Sequence, residues 1–431
     1  MDNRAGWRST SPALALTLLT AISVVGFIDR IIMNVLVEPI KHQFHLNDTQ
    51  MGVINGLAFA VLNVAFGLII ARFAERRRRL TFVAVGTLFW SVACALSGMA
   101  TSFGQLVLAR IGVGVGEAVG LPATASIVSD YFPPDRRTTA MSVLSLAPPL
   151  GAFLGAAGGA MIGQAYGWQT ALVAAAVPGL ILAVLLHVFV AEPVRGQHDG
   201  LAVSDTVPAM RQVILRFWQR HSLRHLLLGS AIASMVGFGL NTFLASFLAR
   251  RFGFSLVEAG LTAGLVASLP ASLSVFGAGW LADRMAVRDA RSYALIPAVT
   301  LLLSTPLYIM GITRDTPAAA ITLLGIAALV QYCYLGPTFG SFQNMMHPRM
   351  RATSSAFTGL VYALIGGGLG PLLMGMLSDF SQARAASPGE GLANALAVSS
   401  LLYLWAAAHY WRAARSIRDD LALPLEDGKT L

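Results

Sequence analysis

Twelve apolar runs, each long enough for an α-helix to cross about 30 Å of hydrocarbon, dominate this chain. They lie at approximately 13–37, 51–73, 80–100, 105–128, 138–163, 171–191, 224–248, 257–281, 293–312, 318–345, 353–377 and 392–411. Inside a bilayer each backbone donor and acceptor must be satisfied within the protein, and a helix does this by itself. The expected fold is therefore an all-α polytopic membrane protein with 12 transmembrane helices. The chain is 55% hydrophobic and only 12% charged, against about 25% charged in a soluble domain.

The net charge of +9 is spread along the sequence in a way that sets topology. The N-terminus and every second linker hold 23 of the 30 Lys and Arg residues, the opposite linkers hold 5, and the other two are Arg30 and Arg110 inside runs. By the positive-inside rule both termini are cytoplasmic and the helix count is even. A nucleic-acid partner is not needed to explain the charge. The first run follows Arg4 and Arg8 but is too long for a signal peptide and lacks a small-residue cleavage site, so it reads as a retained helix. Cys94 and Cys333 fall in runs of different halves and read as buried packing residues, with neither a disulfide nor a metal site expected. Two lysines only, Lys41 and Lys429, against many arginines fit a bacterial chain in the cytoplasmic (inner) membrane.

Four charged side chains sit well inside the runs, away from their ends: Asp29 and Arg30 in the first, Arg110 and Glu117 in the fourth. A charge near the bilayer centre costs roughly 2.5–3.5 kcal/mol on insertion scales, so it is kept where it pairs, meets water or handles a substrate. At 1.5 Å per residue, Asp29 lies about 6 Å past the middle of its run towards the non-cytoplasmic side, and Arg110 about 9 Å from the middle on that same side. Arg110 and Glu117 are two turns apart and share a face. Asp29 and Arg110 can meet if their helices adjoin, while Glu117 lies near the midplane.

The longest linker divides the chain into a six-helix bundle at 1–191, a cytoplasmic segment at 192–223 and a second six-helix bundle with its tail at 224–431. Within the linker Met210, Ile214, Phe217 and Trp218 recur at helical spacing, with Arg211, Arg216 and Arg220 between them. That pattern predicts a short helix on the membrane face, its arginines near anionic head groups. The halves repeat one another. ARFAERRRR at 71–79 matches GWLADRMAVR at 279–288, and PDRRTTA at 134–140 matches PRMRATS at 348–354. Repeated halves are a transporter architecture with the substrate site near the midplane. Glu75 and Asp283 close to helix starts of the opposite half, with Arg76, Arg136, Arg137, Arg284, Arg349 and Arg351, are candidates for a cytoplasmic gate. Serving as topological anchors alone is the plainer role for the same charges.

On these segments the chain resembles the major facilitator superfamily over nearly its whole length. Gly279 to Arg284 is similar to that family's cytoplasmic Gly-x-x-x-Asp-Arg signature, with Ala71 and Glu75 departing from it in the first copy. RIGVGVGEA at 110–118 and the Gly151, Gly155, Gly158, Gly159 series resemble its fourth- and fifth-helix patterns. DRIIMNVLVEPIK (29–41), LNDTQMGVINGLAFAV (46–61), ARIGVGVGEAVGLPA (109–123) and DYFPPDRR (130–137) resemble the Spinster-like branch. The resemblance implies two pseudo-symmetric bundles, alternating access that is often proton-coupled, and lysophospholipids or phosphorylated sphingoid bases as substrates of animal members. It also implies that Asp29, Arg110 and Glu117 form the working core.

An arginine stays charged in such a place and offers a fork to a carboxylate or phosphate. Burial favours the neutral form of a carboxylic acid, and a nearby guanidinium favours the charged form. Asp29 and Glu117 are thus candidates for proton coupling, with Arg110 and, in support, Arg30 for substrate binding. A static Asp29–Arg110 pair tying two helices together remains the alternative. The second half carries no mid-span charge but offers Asn241, Gln331 and Tyr334 as further substrate contacts, which suits an amphiphile with its tail there. The expected function is a monomeric, proton-driven secondary transporter without cofactor, moving an amphiphilic, anionic, lipid-like molecule through the bilayer. A symporter of small organic anions and a drug efflux pump are the competing readings. No HExxH, GxSxG or Walker motif is present, so an enzyme is not expected.

Overall fold

The computed structural model describes residues 11–74, 78–118, 120–194, 209–347 and 350–423. The chain is all-α, and among the described residues eleven helices are long and apolar enough to cross a membrane. The first three are α1 (Pro12–Val35), α2 (48–74) and α3 (Arg79–Gly98). The twelfth span is α4, built from Phe103–Glu117 and Gly120–Tyr131 on either side of Val119. Next come α5 (134–166), α6 (Trp168–Phe189), α7 (His221–Phe252) and α8 (Leu256–Ala286). The series ends with α9 (Ser292–Ile312), α10 (Pro317–Asn344), α11 (351–382) and α12 (388–422). Two helices widen locally to the π form, α2 at Val53–Leu57 and α11 at Tyr362–Leu369.

The chain divides into two compact units whose borders cut across helices. The first comprises 1–46, 57–203 and 256–264; the second comprises 47–56, 204–255 and 265–431. The opening turns of α2 therefore pack with α7 and α11, and the opening turns of α8 pack with α1 and α5.

In the first unit, small residues set how closely the helices approach. A side chain at Gly155 would stand 2.8 Å from the Ile28 carbonyl oxygen, and one at Gly159 would strike Ile32. This i, i+4 stripe lets α5 lie against the α1 backbone one residue from Asp29. On α4, a Cβ at Gly116 would stand 2.7 Å from both the backbone nitrogen and the Cβ of Trp90 on α3. Gly116, the residue before Glu117, thus lets α3 press onto α4. Close backbone approach through small residues is how membrane helices gain packing energy without a hydrophobic driving force.

In the second unit the linker helix Met210–Gln219 docks by Phe217, whose ring meets Phe342 at 5.1 Å and Phe357 at 5.3 Å. Its orientation corrects the expectation for Arg216. That side chain is 3% exposed, and its Nε donates to the Met345 carbonyl at 3.1 Å, away from any head group. The buried stripe is Val213, Arg216 and Phe217, while Ile214 and Trp218 are exposed. The helix covers its own unit because the aromatic cluster offers Phe217 a better site than the surface. Cys94 is buried as expected; Cys333 is half-exposed, contrary to expectation.

Candidate functional site

Consecutive residues on a helix point about 100° apart, and this divergence sends Asp29 and Arg30 to different partners on α4. Arg110 Nη1 donates to Asp29 Oδ2 at 3.0 Å, and both side chains are 2% exposed. Arg30 reaches Glu117, with Nη2 at 2.5 Å and Nε at 2.6 Å from the same Oε2. Arg110 and Glu117, seven apart, present one face of α4 to α1. Two neighbours on α1 and two residues on α4 therefore make two ion pairs, with acid and base exchanged between the helices. Position on α1 fixes each role. The Arg30 side chain keeps 34% exposure against 4% for Glu117. Its guanidinium lies 4.8 Å from the Phe59 ring centre and 5.5 Å from that of Phe27, where aromatic faces favour a cation.

The four charges are incompletely satisfied. Asp29 Oδ1, Arg110 Nε and Glu117 Oε1 are buried with no hydrogen-bond partner in the protein. A buried ion pair gains only if its remaining lone pairs and protons are also met, so these pairs hold little surplus stability. Arg30 and Glu117 line a small, partly open cavity together with Ser23, Phe27, Trp90 and Thr124. Arg30 is the fixed cation that opens onto this space, whereas Arg110 is enclosed with Asp29. An anionic group entering the cavity would compete with Glu117 for the Arg30 fork.

The second-unit candidates are engaged in contacts of their own. Asn241 donates through Nδ2 to Tyr332 Oη at 2.7 Å and lines a separate, mainly apolar cavity with Tyr308. Gln331 is buried, accepting from Tyr308 Oη at 3.1 Å. Tyr334 is buried too, its ring centre 6.5 Å from that of Tyr410, as a packing residue is. Of these, only Asn241 lines that cavity.

Among the gate candidates, Glu75, Arg76 and Arg349 lie outside the described residues. Arg136 is exposed and Arg137 half-buried. Asp283, exposed, accepts from Tyr293 Oη at 2.8 Å; Arg284 stands 5.6 Å from the Trp280 ring centre; Arg351 Nε donates to the Gln343 carbonyl at 3.1 Å.

Two further charge clusters escaped the sequence reading. At the start of α2, Arg250 makes a bidentate pair with Asp48, both bonds at 2.7 Å, and Ser378 Oγ adds a third at 2.6 Å. Asp379 in turn accepts from the Asp48 and Thr49 amides at 3.0 and 2.8 Å. The available signal was Arg250 itself, a cation on the side where the charge bias disfavours one. At the start of α3, Arg79 is buried between Asp130 (2.5 Å) and Glu192 (3.0 Å). Its position in a run of arginines disguised it as a topological anchor.

The sequence model of the major facilitator superfamily matches residues 18–371. An MFS-type efflux pump of Mycolicibacterium smegmatis is 31% identical over 94% of this chain and 94% of its own length. The sphingosine-1-phosphate transporter SPNS2 of Danio rerio is 26% identical, covering 87% of this chain and 78% of that one. Among solved structures, a bacterial homologue of the human lysosomal transporter Spinster, in an inward-facing and unoccupied conformation, superposes with a TM-score of 0.88 at 28% identity. It covers 96% of this chain and 99% of its own.

Proposed function

Because the chain belongs to the major facilitator superfamily, in its Spinster-like branch, we propose that this transporter is proton-coupled and moves an anionic amphiphile of the lysophospholipid or sphingoid-phosphate kind. The observation that carries the proposal is the exchanged pairing of Asp29–Arg110 and Arg30–Glu117 beside a cavity within one unit. An anionic head group binds the Arg30 fork and displaces Glu117. A buried carboxylate that loses its guanidinium takes up a proton, since low dielectric disfavours its bare charge. Proton and substrate then enter together or exchange, according to the state in which each is released. Asp29 with Arg110 is the second, enclosed relay and holds α1 to α4. In this scheme the mobile parts are the two six-helix halves, 1–191 and 224–431, joined by 192–223. The charges Asp283, Arg284, Arg136, Arg137 and Arg351, with Glu75 and Arg76, act at the cytoplasmic gate. The protein works as a monomer in a bacterial cytoplasmic membrane with both termini cytoplasmic, as its charge bias supports.

The name of the Mycolicibacterium smegmatis relative favours export as the direction. Reconstituted vesicles test the proposal. Uptake of a lysophospholipid is expected to respond to an imposed pH gradient in the parent and to lose that response in Asp29→Asn and Glu117→Gln. Undiminished, still pH-driven uptake by both variants overturns it. Competition by hydrophilic carboxylates but not by lysolipids would instead identify a small-anion symporter.

A further inference from the structure

Among the neutral donors of the residues that line the cavity beside Glu117, the indole N–H of Trp90 is left unmet. Trp90, on α3, is 3% exposed, and its indole Nε1 is buried with no hydrogen-bond partner in the protein. Trp90 lines the same cavity as Arg30 and Glu117. Buried indole N–H groups ordinarily find a partner, and one left unmet is costly. Glu117 Oε1, in the same wall, is an unmet acceptor. Packing fixes the indole there: the Trp90 backbone is seated on Gly116, immediately before Glu117, where any side chain would collide at 2.7 Å. The wall thus offers a fixed cation, a neutral donor and a free acceptor.

We infer that Trp90 determines specificity: its N–H donates to an oxygen of the substrate head group while Arg30 holds the charge and Glu117 Oε1 accepts from a substrate donor. This rests on the amphiphile reading above and deepens it. The complementary head group carries oxygens and a donor beyond a single carboxylate, as a phosphorylated, hydroxylated head does. A site built to hydrogen-bond a group rejects analogues that lack it, because its own polar atoms are then stranded. A plain fatty-acid carboxylate engages Arg30 and leaves the indole and Glu117 Oε1 unmet.

The test is binding of two probes of equal chain length, oleoyl lysophosphatidic acid and oleate, to the purified full-length protein. Trp90→Phe keeps a ring and removes the donor; Trp90→Tyr keeps a ring and supplies a donor. The parent is expected to prefer the lysophosphatidate. Trp90→Phe should lose about tenfold in affinity for it, as for one hydrogen bond to a charged group, with oleate nearly unchanged. Trp90→Tyr should restore part of the preference. A purely structural role would weaken both probes alike and leave their ratio intact, and that result overturns the inference. If Trp90→Phe does not fold, the parent alone decides: equal affinity for lysophosphatidate and oleate overturns the inference as well. Binding of neither probe to the parent removes this inference together with the amphiphile reading, whereas a selective parent with an equally selective Trp90→Phe removes this one alone.

Discussion

Single residues bear the cost of this site. Arg110 and Asp29 are fully enclosed, so removing one strands the other's charge. Arg110→Met should destabilise the protein by about 3–5 kcal/mol, and the double variant Arg110→Met with Asp29→Asn should recover much of it. Thermal unfolding in detergent reads both; additive losses would mean the two side chains do not act as a pair. A surface pair behaves differently. The Arg418 side chain, with the Arg291 amide, holds the Asp289 carboxyl below its usual range. A depressed folded pKa gives stability that is present above the unfolded value of about 3.9 and is lost as pH falls through the folded one. Asp289→Asn should therefore lower Tm slightly at neutral pH, and the difference from the parent should fade as pH falls below the unfolded value. A difference that grows on acidification would contradict the sign. Much of the site was legible at this scale, because Asp29, Arg30, Arg110 and Glu117 are charges in apolar runs. The partner of Arg30 was not legible. It depends on the rotation of α1 against α4, which glycines on α5 and α4 set through contacts far apart in sequence.

Among the elements, the opening of α2 has the most distinctive environment. Asn47 caps it with a reciprocal bond to Gln50, and Asp48 is then clamped by Arg250 and Ser378. The π-helical turn Val53–Leu57 follows directly, and the unit border falls within it, at residues 56 and 57. Widened turns of this kind recur at functional positions in helices. Arg250→Met leaves Asp48 buried without its guanidinium and should cost about 3–5 kcal/mol, read as a lower Tm. Asp48→Asn with Arg250→Met should cost less than Arg250→Met alone. Gly155→Leu should prevent folding altogether, since its side chain would displace the α1 backbone beside Asp29; a folded, active Gly155→Leu carrier would refute that packing. The hydropathy pattern locates the helices, because twenty apolar residues carry one unambiguous signal. It is silent on π-helical turns, and it misreads Arg216, whose burial follows from the aromatic pocket around Phe217 and not from local composition.

For the whole molecule, the apolar runs were enough to specify twelve helices and the signature segments enough to specify the superfamily, since both are written directly in the sequence. The exchange of α2 and α8 openings between compact units was not, because it depends on which backbones can touch. Substrate chemistry was legible only as an asymmetry, with charges in the first half and aromatic and amide groups in the second. An anionic head group and the Glu117 carboxylate compete for one guanidinium, so head-group and proton binding favour one another, and binding linkage of that kind must be reciprocal. The most direct measurement follows proton exchange when lysophospholipid is added to purified carrier in weakly buffered solution. Net proton uptake is expected on binding, absent in Glu117→Gln, which still binds. Saturable binding by the parent with no proton exchange at any pH would contradict it.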